Sequence, residues 1–256
     1  MTATLPRIDI ETLIIGAGPS GAVAAALLRR AGREVLVIER ETFPRFSIGE
    51  SLLPQSMQYI EEAGLLRDVV EAGFQFKNGA SFVWGERETA FDFRDKFSPG
   101  WGTTYQVQRA HFDQVLANGA ARMGAEVRYR HEVLELEAAH GGSLARVRAE
   151  DGSEFEVAAR FVLDASGFGR TLPRLLGLER PSNFPARGAI FTHIEDQVRQ
   201  GGFDREKIRI TVHPEHSDVW YWLIPFSNGR CSIGVVARRE FLEQYTGTET
   251  ERLRAL

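Results

Sequence analysis

The chain has 256 residues, is 43% hydrophobic, and carries 31 lysines and arginines against 35 aspartates and glutamates for a formal charge of -4. That content builds one large α/β domain or two smaller ones and excludes a disordered chain, and the mild acidity without a basic run excludes nucleic acid as the expected partner. No signal-peptide pattern opens the chain and no apolar run reaches membrane-spanning length, so a cytoplasmic protein with no membrane span is expected. A single cysteine, Cys231, excludes an internal disulfide and a thiolate metal cage, and it reads as a small buried strand residue.

In chain order, "IETLII" at 10–15 predicts a strand running into "GAGPSG", and "AVAAALLRRAG" predicts a helix that Gly32 stops. "EVLVIE" at 34–39 predicts the next strand, so the N-terminus opens a βαβ unit. "SLLPQSMQYIEEAG" predicts a helix over 51–63 with Ser51 as its cap, Pro54 in its first turn and Gly64 at its end. "AHFDQVLANGAARMG" predicts another helix over 110–124. Short strands follow, "EVRYR", "VLELEA", "ARVRAE" and "EFEVAARFVLDAS", with turn signals at Gly141-Gly142 and Asp151-Gly152; they predict a β-meander before a strand that returns to the parallel sheet. From Arg187 onward come "GAIFTHIE", "KIRITVH", "DVWYWLIP" and "RCSIGVVA", with Asn228-Gly229 making the last two a hairpin.

Gly16, Gly18 and Gly21 stand in G-x-G-x-x-G spacing between a predicted strand and a predicted helix, with Pro19 and Ser20 between the last two. Such glycines supply a tight turn, close backbone approach to a pyrophosphate and close helix-to-strand packing, with the helix N-terminus toward the anion. Glu39 closes the second strand, where its carboxylate can accept hydrogen bonds from both ribose hydroxyls, with Arg40 beside it. A carboxylate there repels a 2'-phosphate, so FAD or NAD is favoured over NADP.

In "FVLDASGFGR" an apolar strand closes on Asp164, Ala165, Ser166 and Gly167. "FPRFSIGESLLP" at 43–54 brings Ile48, Gly49, Glu50 and Ser51 past a point where glycine lets backbone approach a planar ring. "GFQFKNGASFVWG" holds Lys77, and "YQVQRAHFDQVL" holds Arg109. On these stretches the chain resembles the FAD-dependent monooxygenases and, within them, the flavin-dependent halogenases, from about Glu11 to Ala237. The resemblance implies a Rossmann-like FAD-binding domain over 8–185 with a parallel sheet and β-meander, in which 74–105 contributes to the substrate side. It further implies an antiparallel substrate-domain sheet over 186–237 and the start of a truncated C-terminal helical region over 238–256. It assigns Gly16, Gly18, Pro19, Ser20, Gly21, Glu39, Arg40, Ile48, Gly49, Glu50, Ser51, Arg109, Asp164, Ala165 and Gly167 to FAD, and makes Lys77 the essential lysine.

"VWYWLIP" at 219–225 resembles the halogenase motif Gly-Trp-x-Trp-x-Ile-Pro, with Val219 in place of the glycine. Strand alternation puts Trp220, Trp222 and Ile224 on one face and Val219, Tyr221 and Leu223 on the other. By resemblance, Trp220, Trp222, Ile224 and Pro225 belong to a catalytic wall beside Lys77, the substrate is a small aromatic or a carrier-protein-bound group, and a flavin reductase supplies reduced FAD. A dehydrogenase or reductase of the geranylgeranyl-reductase kind is the alternative enzyme, and a nucleotide-binding fragment without activity is the other. His193, His213 and His216 lack the spacing of a metal site and receive no role.

Overall fold

The computed structural model describes residues 5–139, 141–196 and 203–256. Its elements run β1 (Arg7–Ile15), α1 (Pro19–Arg30), β2 (Val35–Glu39), α2 (Pro54–Glu62), α3 (Leu66–Glu71), β3 (Gln75–Lys77), β4 (Gly79–Trp84), β5 (Arg87–Asp92), β6 (Thr104–Gln106), α4 (Arg109–Arg122) and β7 (Glu126–Tyr129). They continue with β8 (Glu132–Ala139), β9 (Gly142–Arg148), β10 (Glu154–Asp164), α5 (Thr171–Leu175), β11 (Arg187–Glu195), β12 (Lys207–Val212), β13 (Trp220–Pro225), β14 (Arg230–Arg238), α6 (Arg239–Leu242) and α7 (Glu249–Ala255). The chain divides into two compact units.

The first unit comprises the chain up to Ile48, Tyr59–Ala72 and Arg109–Arg180. Its sheet has the order β7-β2-β1-β10-β9-β8, parallel from β7 to β10 and antiparallel from β10 to β8. All five residues of β2 are buried, which is why that strand reads as an unbroken apolar run. The meander end of β10 alternates instead, burying Phe155, Val157 and Ala159 with Leu13, Leu36 and Val147. One expectation is corrected here: β7, taken with the meander from sequence, pairs in parallel with β2 in the register Leu36↔Glu126. A four-residue strand carries no signal of its partner's direction.

The second unit comprises Gly49–Gln58, Gly73–Gln108 and Pro181–Leu256. Its main sheet has the order β11-β14-β13-β12-β4-β5. The four strands from β11 to β14 are antiparallel, as expected, but the sheet is mixed because β12 runs parallel to β4. Phe226 donates its N–H to Arg230 O, and Gly229 takes a φ of 77° in the turn from β13 to β14. One face of this sheet packs Ile190, Val219, Val235 and Ala237 against Leu242, with Phe241 and Leu253 at the margin. A separate pair, β3 with β6, receives the chain at 51–52: Ser51 bridges Gln106, and Leu52 N–H donates to Tyr105 O. Ser51 therefore does not cap a helix over 51–63; the helix begins at Pro54, after two residues drawn into the extended pairing.

Candidate functional site

The candidate nucleotide cradle lies in the first unit, at the carboxyl ends of β1, β2 and β10. Gly16 takes a φ of 100°, and a Cβ on it would stand 2.6 Å from Ala165 O; a Cβ on Gly21 would stand 1.9 Å from Gly16 O. The three-residue spacing thus closes the loop on itself and on the turn after β10. Pro19 is the first residue of α1 and Ser20 the second, with Gly18 as the cap and no side chain competing for the first N–H groups. Such a helix start receives an anion well. Glu39 is buried; its Oε2 accepts from Ala17 N–H at 2.8 Å and its Oε1 from Glu41 N–H at 3.0 Å, which pins the loop to β2. Each oxygen retains a second lone pair for a ribose hydroxyl. Arg40 is exposed and lies 3.8 Å from Glu41.

Asp164 organises the neighbouring turn: Oδ1 accepts from Ser166 N–H and Oδ2 from Leu172 N–H, both at 2.9 Å. Gly167 follows with a φ of 56°. Arg109 opens α4, pairs bidentately with the fully buried Asp113 at 2.7 and 3.0 Å, and donates to Ile48 O, so it holds the chain just before Gly49. Sequence reasoning missed Arg45, whose guanidinium lies 3.4 Å from Asp113 and stands 3.5 Å from where a Cβ on Gly18 would be. Its signal is a cation inside "FPRFSIGESLLP".

Lys77 lies in the second unit at the end of β3. It is 2% exposed, its Nζ donates to Leu52 O at 2.7 Å, and it stands 5.0 Å from the centre of the Phe93 ring. Burial pulls its pKa from 10.5 down to about 8. Between those values the folded chain holds a neutral amine while the unfolded chain keeps its proton. The unfolded state then binds more protons, so stability rises with pH across that window by about 3 kcal/mol. Denaturant unfolding of wild type and Lys77→Met at pH 7 and pH 10 measures this: the wild type should gain on the variant, and equal changes would contradict a desolvated ammonium.

Glu50 is also buried, with its Oε1 2.5 Å from His193 Nε2 and its backbone O accepting from Val107 N–H. Sequence reasoning gave His193 no role; the structure makes it the partner of a residue in the loop at 43–54.

Trp220 and Trp222 have ring centres 6.1 Å apart. Trp222 pairs with Gly234 on β14 and Ile210 on β12, and Ile224 with Ser232. The Trp222 Nε1–H donates to Ser232 Oγ at 3.0 Å, and Phe191 tilts against the ring at 5.9 Å. Val219 and Tyr221 face the cluster of Ile190, Val235 and Ala237, so the valine in the glycine's place projects away from the indoles. Pro225 pairs with Cys231, whose thiol burial pushes up to about 11 and so keeps protonated. Ser232 and Gly234 were invisible to sequence reasoning, because each acts through a ring on the adjacent strand. A Cβ on Gly234 would stand 2.3 Å from the Trp222 ring. Gly234→Ala should therefore displace Trp222 at a cost of about 1–3 kcal/mol, seen as a changed tryptophan emission spectrum and a lower unfolding midpoint; an unchanged spectrum would contradict the contact.

The cradle defines a dinucleotide-binding α/β protein. Over residues 9–252 the chain matches the FAD binding domain family and belongs to it; its cofactor is FAD. It is 30% identical over 237 residues to a 1H-pyrrole-2-carbonyl-[peptidyl-carrier protein] brominase of Pseudoalteromonas luteoviolacea, covering 90% of this chain and 55% of the relative. Among solved structures it is similar to a flavoprotein/dehydrogenase from Cytophaga hutchinsonii, with 44% identity, a TM-score of 0.92, and coverage of 97% of this chain and 60% of that one. It is also similar to a myxobacterial chondrochloren halogenase, with 30% identity, a TM-score of 0.82, and coverage of 96% and 57%. The chain thus spans little more than half the length of these relatives. Among the described residues no helix is long and apolar enough to cross a membrane, and no cluster of three or more His, Cys, Asp or Glu side chains is placed to hold a metal ion.

Proposed function

We propose that the chain is the FAD-binding and substrate-sheet part of a flavin-dependent halogenase-like oxidoreductase that uses reduced FAD, oxygen and halide. Its substrate would be a small aromatic or a carrier-protein-bound aromatic group, as in the name of the brominase relative, with a flavin reductase as the source of reduced FAD. Lys77 carries the reading: a sealed ammonium held at Leu52 O is a poor investment for stability and a suitable donor for chemistry.

The cradle supports FAD. Gly16 and Gly21 allow backbone where side chains would collide, Gly18 keeps the helix start bare, the start of α1 receives the pyrophosphate, Glu39 the ribose, and Arg45 adds a cation at Gly18. Arg109 holds the chain at Ile48, and Asp164, Ala165 and Gly167 shape the turn beside the glycine loop. FAD, when bound, supplies the reducing equivalents for oxygen.

Lys77 donates a hydrogen bond to the oxygen of hypohalous acid, which draws electrons from the halogen. The aromatic carbon takes the halogen, the oxygen leaves as water with the ammonium's proton, and the ring proton restores the ammonium. Trp220, Trp222 and Ile224, with Pro225 ending their strand, exclude water from that transfer. Incubating the whole protein with FAD, a flavin reductase, bromide and a panel of phenols and carrier-bound pyrroles tests this: a bromide-dependent mass shift is expected, and FAD-loaded protein that brominates none of them would sink it.

A second reading is an FAD-dependent dehydrogenase or reductase, favoured by the 44% identity to the flavoprotein/dehydrogenase. The indoles would then line a site for a long apolar substrate, and Lys77 would bind that substrate.

A further inference from the structure

Lys77 on β3 stands directly opposite Thr104 on β6, Gln75 stands opposite Gln106, and Ser51 bridges Gln106 from the other side. Opposed and alternate strand residues share a face. Ser51, Gln75, Lys77, Thr104 and Gln106 therefore line one face of this small sheet, with Gln75 half-buried and its Nε2 donating to Phe76 O, and Phe76 and Tyr105 line the other. The polar face is the buried one: Lys77, Thr104 and Gln106 are 2%, 1% and 0% exposed, against 37% for Phe76.

On that buried face three oxygens, Ser51 Oγ, Thr104 Oγ1 and Gln106 Oε1, have no protein hydrogen-bond partner. Buried polar atoms are nearly always paired, and an unpaired one is costly. The Gln106 amide is held in one orientation because its Nε2 donates to Arg205 O at 3.1 Å. Lys77 gives one of its three ammonium protons to Leu52 O, which leaves two to direct elsewhere.

The donor and acceptor pattern selects its chemistry. Gln106 Oε1 only accepts, so it needs a donor; Lys77 only donates, so it needs an acceptor; the two hydroxyls do either. A bare halide would leave Gln106 Oε1 unmatched, and a cation would meet the ammonium. We propose that Ser51, Thr104 and Gln106 form with Lys77 a buried subsite for one small neutral hydroxylic molecule, water or hydrogen peroxide, that solvates the Lys77 ammonium. Any part this occupant takes in catalysis rests on the reading of Lys77 given above; the subsite itself does not.

The chain has three lysines, Lys77, Lys96 and Lys207, so Nζ resonances of 15N-lysine-labelled full chain are readily assigned. The titration is read without flavin or halide, so its outcome is separate from that of the bromination assay. Loss of a solvating molecule disfavours the charged form. Thr104→Val and Ser51→Ala should each move the Lys77 titration down by roughly half a pH unit or more, and Thr104→Ser should restore it. Ser51→Ala alone decides the matter if Thr104→Val does not fold. Titration of Lys77 at the wild-type pH in the folded variants overturns the proposal. Added hydrogen peroxide that moves the wild-type Lys77 resonance, and not that of Thr104→Val, assigns the occupant to peroxide as well; no movement assigns it to water.

Discussion

Lys77→Ala should lower halogen transfer by at least about a hundredfold, the usual scale for removing a positioned proton donor, while leaving FAD bound. The separation of effects follows from where the residue sits. The cradle of Gly16, Gly18, Gly21 and Glu39 belongs to the first unit, and none of its hydrogen bonds involves Lys77. Truncation removes a desolvated charge but also leaves a cavity and takes the hydrogen bond from Leu52 O, so activity is compared on folded, flavin-loaded protein. Lys77→Arg should not rescue, because a guanidinium stays charged and its longer planar fork cannot reproduce the single contact to Leu52 O beside Phe93. The check is product formation per bound flavin; halogenation within threefold of wild type would remove Lys77 from the mechanism.

Gly21→Ala should abolish retention of FAD and destabilise the first unit by about 1–3 kcal/mol. Its Cβ would stand 1.9 Å from Gly16 O and 3.0 Å from Gly16 C, both backbone atoms that cannot step aside cheaply. Gly18→Ala separates binding from folding. There the new Cβ meets only the Arg45 guanidinium at 3.5 Å, an ordinary contact, so the fold should survive while the methyl occupies the approach of the pyrophosphate. Visible-absorbance titration with FAD, paired with denaturant unfolding, should show Gly21→Ala failing both tests and Gly18→Ala failing only the first. FAD affinity within twofold of wild type in both variants would place the pyrophosphate elsewhere.

What could be read in the sequence was whatever local geometry dictates. The glycine spacing with Glu39 marked the candidate cradle: Gly21 answers a steric demand from Gly16 O close by in sequence, whereas the demand on Gly16 comes from Ala165 O on a turn distant in sequence. The facing of Trp220, Trp222 and Ile224 followed from a period of two, and the same period explains why Val219 leaves the indole face clear. The burial of Lys77 is different: composition favours an exposed lysine, and only resemblance pointed to this one. Features made by pairing distant strands were hidden. Ser51 reads as a helix cap until Gln106 draws it into a bridge, and Gly234 is an ordinary strand glycine until the Trp222 ring lies across it. His193 and Arg45 are likewise unremarkable alone; each takes its meaning from a carboxylate, Glu50 or Asp113, on another element.

On the proposed function halogen, rather than oxygen or hydrogen, is transferred to substrate. One reaction of the whole protein with reduced FAD, bromide and 18O-labelled oxygen, analysed by mass spectrometry of the organic product, tests it directly. The expected product carries bromine and no 18O, with the label recovered in water. A product that carries 18O without bromine, or that has only gained or lost hydrogen, would contradict it.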